Sequence, residues 1–132
     1  MEWKEDYSVG IREIDEQHKA IIECISSIKK AAVRYDRPAT DVAVVRLLDL
    51  AQAHFKVEES LMRIHDYPRL EEHAAEHKKF SVYLIALQER FITTEVFHHR
   101  LEIFQGWWAT HVQKHDKSYA LHFLKYTALG KS

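Results

Sequence analysis

The sequence contains few of the residues that interrupt helices. Only three glycines and two prolines occur among its 132 residues. Because glycine and proline are the residues least compatible with a helix interior, long stretches of the chain are free to be helical. The length suits one domain with a single sizeable core. We therefore expect few, long helices in a single domain over residues 1–132.

Other scarcities exclude several classes of protein. Cys24 is the only cysteine, which rules out an internal disulfide and fits a reducing compartment such as the cytoplasm. No apolar run approaches the roughly 20 residues of a membrane span, and the charged first ten residues lack the apolar region of a secretory signal. The formal net charge of −1 gives no basic footprint for nucleic acid. We expect a cytoplasmic protein with no membrane span and no nucleic-acid partner.

Apolar residues recur at steps of three and four along four segments, which is the spacing of one helix face. Arg37-Pro38 ends the first segment, Thr40 is the expected N-cap of the second, and Tyr67-Pro68 separates the second from the third. Four helices with short turns predict an all-α fold, an antiparallel up-down four-helix bundle. The predicted elements are an N-terminal arm at residues 1–10, helices at about 11–36, 40–65, 68–91 and 94–116, and a short C-terminal helix at about 118–127.

Ten histidines are several times the ordinary usage, and five of them lie on the predicted apolar stripes. His54 with Glu58, and His73 with His77, are each spaced i, i+4. This spacing places both members of a pair on one helix face, about one turn apart. The candidate ligands on the four helices are His18, His54, Glu58, His73, His77, His111 and Asp116.

Each of these residues taken alone has an ordinary explanation. A single inward histidine is more often a core residue bonded to a backbone carbonyl, and an i, i+4 His-Glu pair is often an exposed ion pair. Burying the whole set without a cation would cost several kcal/mol in desolvation. A bound metal accounts for all of them together, and imidazole with carboxylate suits iron, zinc or copper.

The spacing of the set resembles the hemerythrin family, and its bacterial single-domain branch in particular. The pattern in this chain is His18, His54-x-x-x-Glu58, His73-x-x-x-His77 and His111-x-x-x-x-Asp116. The resemblance covers about residues 1–125 and includes every ligand position. Flanking residues that agree with it are Trp3, Ile14, Asp15, Phe55, Glu59, Phe80 and Trp107.

The resemblance implies a non-haem di-iron centre that binds O2 reversibly, with two iron ions as the cofactor and O2 as the partner. The implied assignment places His73, His77 and His111 on one iron, His18 and His54 on the other, and Glu58 and Asp116 as bridges, beside an oxo or hydroxo group. One coordination position then stays free for O2, on the iron of His18 and His54. Carriage, storage, local delivery and sensing of O2 all fit this centre, and none of them requires an enzyme.

Three other functions are alternatives to O2 binding. A di-iron oxidase, a peroxidase or a nitric-oxide-handling enzyme would need a substrate channel, a second exchangeable position or an electron donor. Bulk metal storage or detoxification is disfavoured by a fixed set of seven buried donors. A metal-free structural bundle predicts that stability does not depend on metal.

His111 and Asp116 do not follow helical spacing. They are separated by five residues, which places them on different faces of an ideal α-helix. The family has the same spacing. We expect the helix to unwind or bulge near Gln113-Lys114, so that Asp116 turns inward.

Trp108 departs from the family pattern, which commonly has at this position a leucine that lines the O2 pocket. Two interpretations are equally favoured. The indole packs in the core with little effect, or it tightens the pocket and alters O2 exchange and autoxidation.

The remaining polar residues near the pattern have simpler interpretations. His65 is expected to place a positive charge at the carboxyl end of the second helix, where the helix dipole favours one. His98 and His99 are expected to be exposed. His115 either orients neighbouring Asp116 or faces solvent, and the second interpretation is favoured. Glu59 points away from Glu58 and is interpreted as an outer support of the site or a surface group.

Overall fold

The computed structural model describes residues 1–89 and 92–128 and is helical over most of them. Helix α1 spans Arg12–Val33, α2 spans Arg37–Ile64, α3 spans Leu70–Leu87 and α4 spans Thr94–His111. A π-helical turn, Val112–Asp116, joins α4 to α5, Lys117–Ala128, and a 3-10 turn, Glu5–Tyr7, precedes α1. Each long helix packs on the next and α4 returns to α1, which confirms the predicted all-α bundle. None of the helices in this described part is long and apolar enough to span a membrane.

The apolar stripes of the four long helices form one core. Ile21, Ile25 and Ile28 of α1 are completely buried, and they meet Leu47 of α2 and Phe80 of α3 in the same cluster. Burying a side chain of this size contributes roughly 1.5–3 kcal/mol. The core therefore supplies a rigid frame in which polar residues on the same stripes are held inside the bundle.

The N-terminal arm is fixed to α1 by hydrogen bonds and by one buried apolar residue. The Ser8 hydroxyl donates to Asp15 Oδ2 at 2.6 Å, and the Val9 amide donates to Asp15 Oδ1 at 2.8 Å. Val9 is only 7% exposed, and the Ser26 hydroxyl donates to the Met1 carbonyl at 2.7 Å. The arm therefore runs along the first helix.

The turn after α1 begins earlier than predicted. The helix ends at Val33 rather than near Asp36, because Tyr35 takes a left-handed backbone conformation with φ of 56°. The amides of Tyr35 and Asp36 bond back to the carbonyls of Ala32 and Ala31, which is how helices commonly close.

The N-cap of α2 is Asp36, and the prediction of Thr40 is wrong. Asp36 Oδ1 accepts a hydrogen bond from the Ala39 amide at 3.0 Å, so α2 begins at Arg37 with Pro38 in its first turn. Thr40 instead lies inside the helix, where its hydroxyl donates to the Asp36 carbonyl at 2.8 Å.

The turn between α2 and α3 resembles the first one. Asp66 has a φ of 53°, and the Tyr67 amide donates to the Met62 carbonyl at 2.9 Å. Because Arg69 is not helical, with φ of −107° and ψ of 27°, α3 begins at Leu70 rather than Pro68. The described helix ends at Leu87, and the predicted end near residue 91 lies outside the described residues.

Candidate metal centre

The seven predicted ligands lie together inside the bundle. Helix α1 supplies one, α2 and α3 supply two each, and the last two come from the end of α4 and from the π-helical turn. No side chain of the set is more than 4% exposed. In chain order they are His18, His54, Glu58, His73, His77, His111 and Asp116.

Their donor atoms form two adjacent groups that could each hold a metal ion. Within each group the donor atoms all lie within 4.8 Å of one another. Glu58 is a member of both groups. The larger group is Glu58, His73, His77, His111 and Asp116, and the smaller group is His18, His54 and Glu58.

Glu58 divides its two oxygens between the groups. Its Oε1 lies 2.7 Å from His73 Nε2 and 3.2 Å from His77 Nε2. Its Oε2 lies 3.2 Å from His54 Nε2. One carboxylate therefore faces both sets of histidines.

Asp116 divides its oxygens in the same way. Its Oδ1 lies 2.8 Å from His73 Nε2 and 3.1 Å from His111 Nε2, while its Oδ2 lies 3.2 Å from His18 Nε2. The two carboxylates therefore separate the histidines into His73, His77 and His111 on one side and His18 and His54 on the other.

The π-helical turn is what brings Asp116 to the cluster. Residues Val112–Asp116 are wound more loosely than an α-helix, so a separation of five residues returns to nearly the same face. Asp116 is 2% exposed and in contact with His111. The predicted bulge near Gln113-Lys114 is confirmed, and the regular α-helix of α4 ends at His111 rather than near Asp116.

The cluster atoms are close to one another but do not form hydrogen bonds. The Nε2 atoms of the five histidines and both oxygens of Glu58 and Asp116 are buried without a hydrogen-bond partner. These nitrogens and oxygens nevertheless lie only 2.7–3.2 Å apart. Buried donors and acceptors left unpaired in this way destabilise a protein. Imidazole nitrogens and carboxylate oxygens that surround a common space are a fitting donor set for a cation.

The charges in the cluster stabilise one another. Burial by itself would raise the carboxyl pKa of Glu58 and Asp116, but the surrounding histidines lower both pKa values below their ordinary range. Burial by itself would lower the pKa of His73, but Asp116 and Glu58 raise it to about 9. Without metal, the cluster therefore keeps two ionised carboxylates and a proton on His73. A metal ion that binds His73 has to displace that proton.

Three further side chains orient the cluster histidines from outside. His54 Nδ1 donates to Gln17 Oε1, and His77 Nδ1 donates to Glu59 Oε2 at 2.9 Å. Glu76 Oε2 lies 3.9 Å from His111 Nδ1, near enough for an electrostatic contact only. Such partners fix the ring orientation and leave Nε2 free as the ligand atom.

The sequence predicted that Glu59 is either an outer support of the site or a surface group, and the first interpretation fits its contact with His77. The contacts of Gln17 and Glu76 were not predicted. Gln17 precedes His18 along α1 but supports His54 on α2. Glu76 precedes His77 along α3 but lies near His111 on α4. Their position immediately before a ligand is the only signal in the sequence, and it does not show which neighbouring helix they reach.

Replacing Glu59 by alanine tests this outer support. We expect the Glu59→Ala variant to bind metal roughly 10–100-fold more weakly, because the His77 ring loses the partner that holds it. Chelator competition measures the affinity directly. Glu102→Ala removes an exposed glutamate of α4 and should leave the affinity unchanged. Equal affinity in the two variants would show that Glu59 does not support the site.

Two tryptophans cover one side of the cluster. The Trp108 ring is completely buried, perpendicular to His18 with centroids 5.4 Å apart and nearly parallel to His111 at 5.7 Å. Trp107 is half-buried and stacks on His111 at 5.3 Å. Trp108 is therefore a core residue and also a wall of the cluster.

The other histidines near the pattern lie outside the cluster. His65 is buried and its Nδ1 lies 3.1 Å from the Tyr119 hydroxyl. Burial and nearby His122 lower the pKa of His65, so the predicted positive charge at this helix end is wrong. His115 is only half-exposed and stacks on His111 at 5.4 Å, which corrects its predicted solvent position.

Two histidines at the start of α4 differ in exposure. His99 is exposed, as predicted, whereas His98 is half-buried with its ring against Phe97. Neither belongs to either group of donor atoms.

A family model matches most of the chain. The model of the hemerythrin HHE cation binding domain matches residues 9–120, a range that contains all seven cluster residues.

Individual relatives extend over most of the chain. A bacteriohemerythrin from Stenotrophomonas maltophilia is 29% identical over 119 residues, which is 89% of this chain and 78% of the relative. A bacteriohemerythrin from Pseudomonas aeruginosa is 29% identical over 118 residues, 89% of this chain and 77% of the relative. A myohemerythrin from Theromyzon tessulatum is 25% identical over 118 residues, 89% of both chains.

Proposed function

This chain belongs to the hemerythrin family, and on that premise we propose that it binds O2 reversibly at a non-haem di-iron centre. The division of the two carboxylates carries the proposal. Glu58 and Asp116 each present one oxygen to one set of histidines and the other oxygen to the second set. That is the arrangement a pair of metal ions requires when two carboxylates bridge them.

Under this proposal the seven side chains are the ligands. Three histidines would hold one iron and two would hold the other, so the second iron would have fewer protein ligands and more room for O2. The assignment is His73, His77 and His111 for the first iron, His18 and His54 for the second, and Glu58 and Asp116 as bridges. When bound, the irons supply the electrons that O2 withdraws reversibly.

The ligand chemistry favours binding over substrate oxidation. Di-iron bundles rich in carboxylates are built on Glu and repeated Glu-x-x-His. This cluster has five histidines and only two carboxylates, and so fewer anionic ligands to stabilise strongly oxidised iron. Its side chains are at most 4% exposed, which keeps bulk water and large substrates away. These properties support reversible O2 binding.

A single histidine replacement tests the ligand assignment. We expect His77→Ala to lose or greatly weaken the ion at the three-histidine position, because this histidine contacts Glu58 with its Nε2. His98→Ala is the matched control, since His98 lies outside both donor groups. Iron per chain measures both variants. If His98→Ala lost metal while His77→Ala kept it, the assignment would be wrong.

Oxygen consumption separates a carrier from a di-iron oxidase, peroxidase or nitric-oxide-handling enzyme. We expect the reduced protein to take up O2 once and then stop, even with excess reductant present. An oxygen electrode records the uptake. Continued consumption of O2 and reductant would favour the enzyme instead.

A further inference from the structure

Trp108 carries a buried donor that has no partner in the protein. Among the described residues, 13 buried side-chain nitrogen and oxygen atoms have no hydrogen bond, and 12 of them belong to the seven cluster residues. The remaining atom is Trp108 Nε1. The one unpaired atom outside the ligand set thus belongs to a residue in contact with that set.

An unpaired indole N–H at this depth is unusual. Buried tryptophans generally find a partner for this group, and a buried donor without one destabilises the protein. Trp108 is 0% exposed, so solvent does not reach it. Neighbouring Trp107 differs in being only half-buried. The cost of an unpaired donor suggests that the indole N–H of Trp108 pairs with a molecule that is not part of the polypeptide.

The location of the ring indicates what that partner is. Trp108 contacts His18, a member of the smaller donor group, and His111, a member of the larger group. Phe80 packs perpendicular to the indole at 5.3 Å and helps to fix its orientation. The ring therefore lies beside both donor groups, against His18 of the smaller group and His111 of the larger one.

We propose that the Trp108 indole N–H donates a hydrogen bond to the small ligand bound at the cluster, either O2 or a small anion such as azide. This inference rests on the proposed function. A donor at this position favours ligands that carry or gain negative charge, because hydrogen bonds to charged acceptors are the stronger ones. Trp108 is then a residue that determines ligand affinity as well as a packing residue.

Azide affinity tests the hydrogen bond. The oxidised, iron-loaded protein is titrated with azide, and the dissociation constant is read from the visible absorption of the complex. We expect Trp108→Phe to weaken azide binding by at least about 10-fold, the equivalent of one hydrogen bond to a charged acceptor. Trp3→Phe makes the same replacement in the N-terminal arm, outside both donor groups, and should remain within about twofold of the unchanged protein.

An isosteric residue distinguishes loss of the indole N–H from a change in the shape of the side chain. Incorporation of the benzothiophene analogue of tryptophan at position 108 keeps the ring system and replaces the N–H by sulfur. We expect the same loss of azide affinity as in Trp108→Phe. This variant also serves if the phenylalanine variant does not fold, because the packing volume is preserved.

The outcomes distinguish this inference from the proposed function. Unchanged or tighter azide binding in both position-108 variants would overturn the hydrogen bond while leaving the di-iron centre intact. Iron-loaded protein that binds neither azide nor O2 would overturn it too. Failure of the unchanged protein to hold iron would remove the proposed function and this inference with it.

Discussion

We expect removal of bound metal to lower the melting temperature of this protein by about 12–20 °C. A site occupied at 1,000 times its dissociation constant adds about 4 kcal/mol to stability, and 1 kcal/mol shifts the melting temperature of a domain of this size by roughly 3–5 °C. Thermal unfolding followed by circular dichroism, with and without iron, measures the difference.

The expected decrease in melting temperature has a physical cause in the cluster. Without metal, two ionised carboxylates remain buried beside His73, whose pKa these carboxylates raise to about 9. The unpaired nitrogen and oxygen atoms also lose the ligand that satisfies them. Restoring iron to the metal-free sample is the control and should restore the melting temperature. Equal melting temperatures with and without metal would support a purely structural bundle.

We expect Glu58→Ala to prevent metal binding at both donor groups, which is a larger effect than any single histidine replacement. Glu58 contacts His73 and His77 through one oxygen and His54 through the other, so its loss damages both donor groups. We expect the metal affinity of both donor groups to fall by more than the roughly 10–100-fold expected when an outer partner such as Glu59 is removed. Iron analysis after purification in iron-replete medium measures the effect.

Comparison with two variants makes this result specific. Glu102→Ala changes an exposed glutamate and should keep the full iron content. His77→Ala should retain iron at the position of His18 and His54, because His77 belongs to the larger donor group alone. A Glu58→Ala protein that still held two irons would contradict the bridging role.

The bundle and the family could be predicted from the sequence because each depends on spacing. The apolar residues follow a helical period, and the all-α bundle that this period predicts is confirmed. The hemerythrin resemblance, which rested on the positions of the candidate ligands, is confirmed by the family match over residues 9–120. The π-helical turn was predictable for a related reason, since Asp116 could not face the bundle interior from a regular helix.

The features that escaped prediction depend on contacts between helices or on local backbone geometry. Tyr35 ends α1 early by taking a positive φ, which tyrosine rarely adopts and which its position did not indicate. Gln17 supports a histidine on another helix, so no spacing within α1 reveals it. The unpaired N–H of Trp108 is likewise visible only once the neighbouring rings are in place.

Iron content and a visible spectrum, recorded on one sample through a cycle of O2 exposure, test the central proposal most directly. The protein is reduced without air, exposed to O2 and then degassed. We predict two irons per chain and a charge-transfer band that appears with O2 and disappears on degassing. A permanent change to the oxidised form, or protein that holds no iron when iron is supplied, would contradict reversible O2 binding.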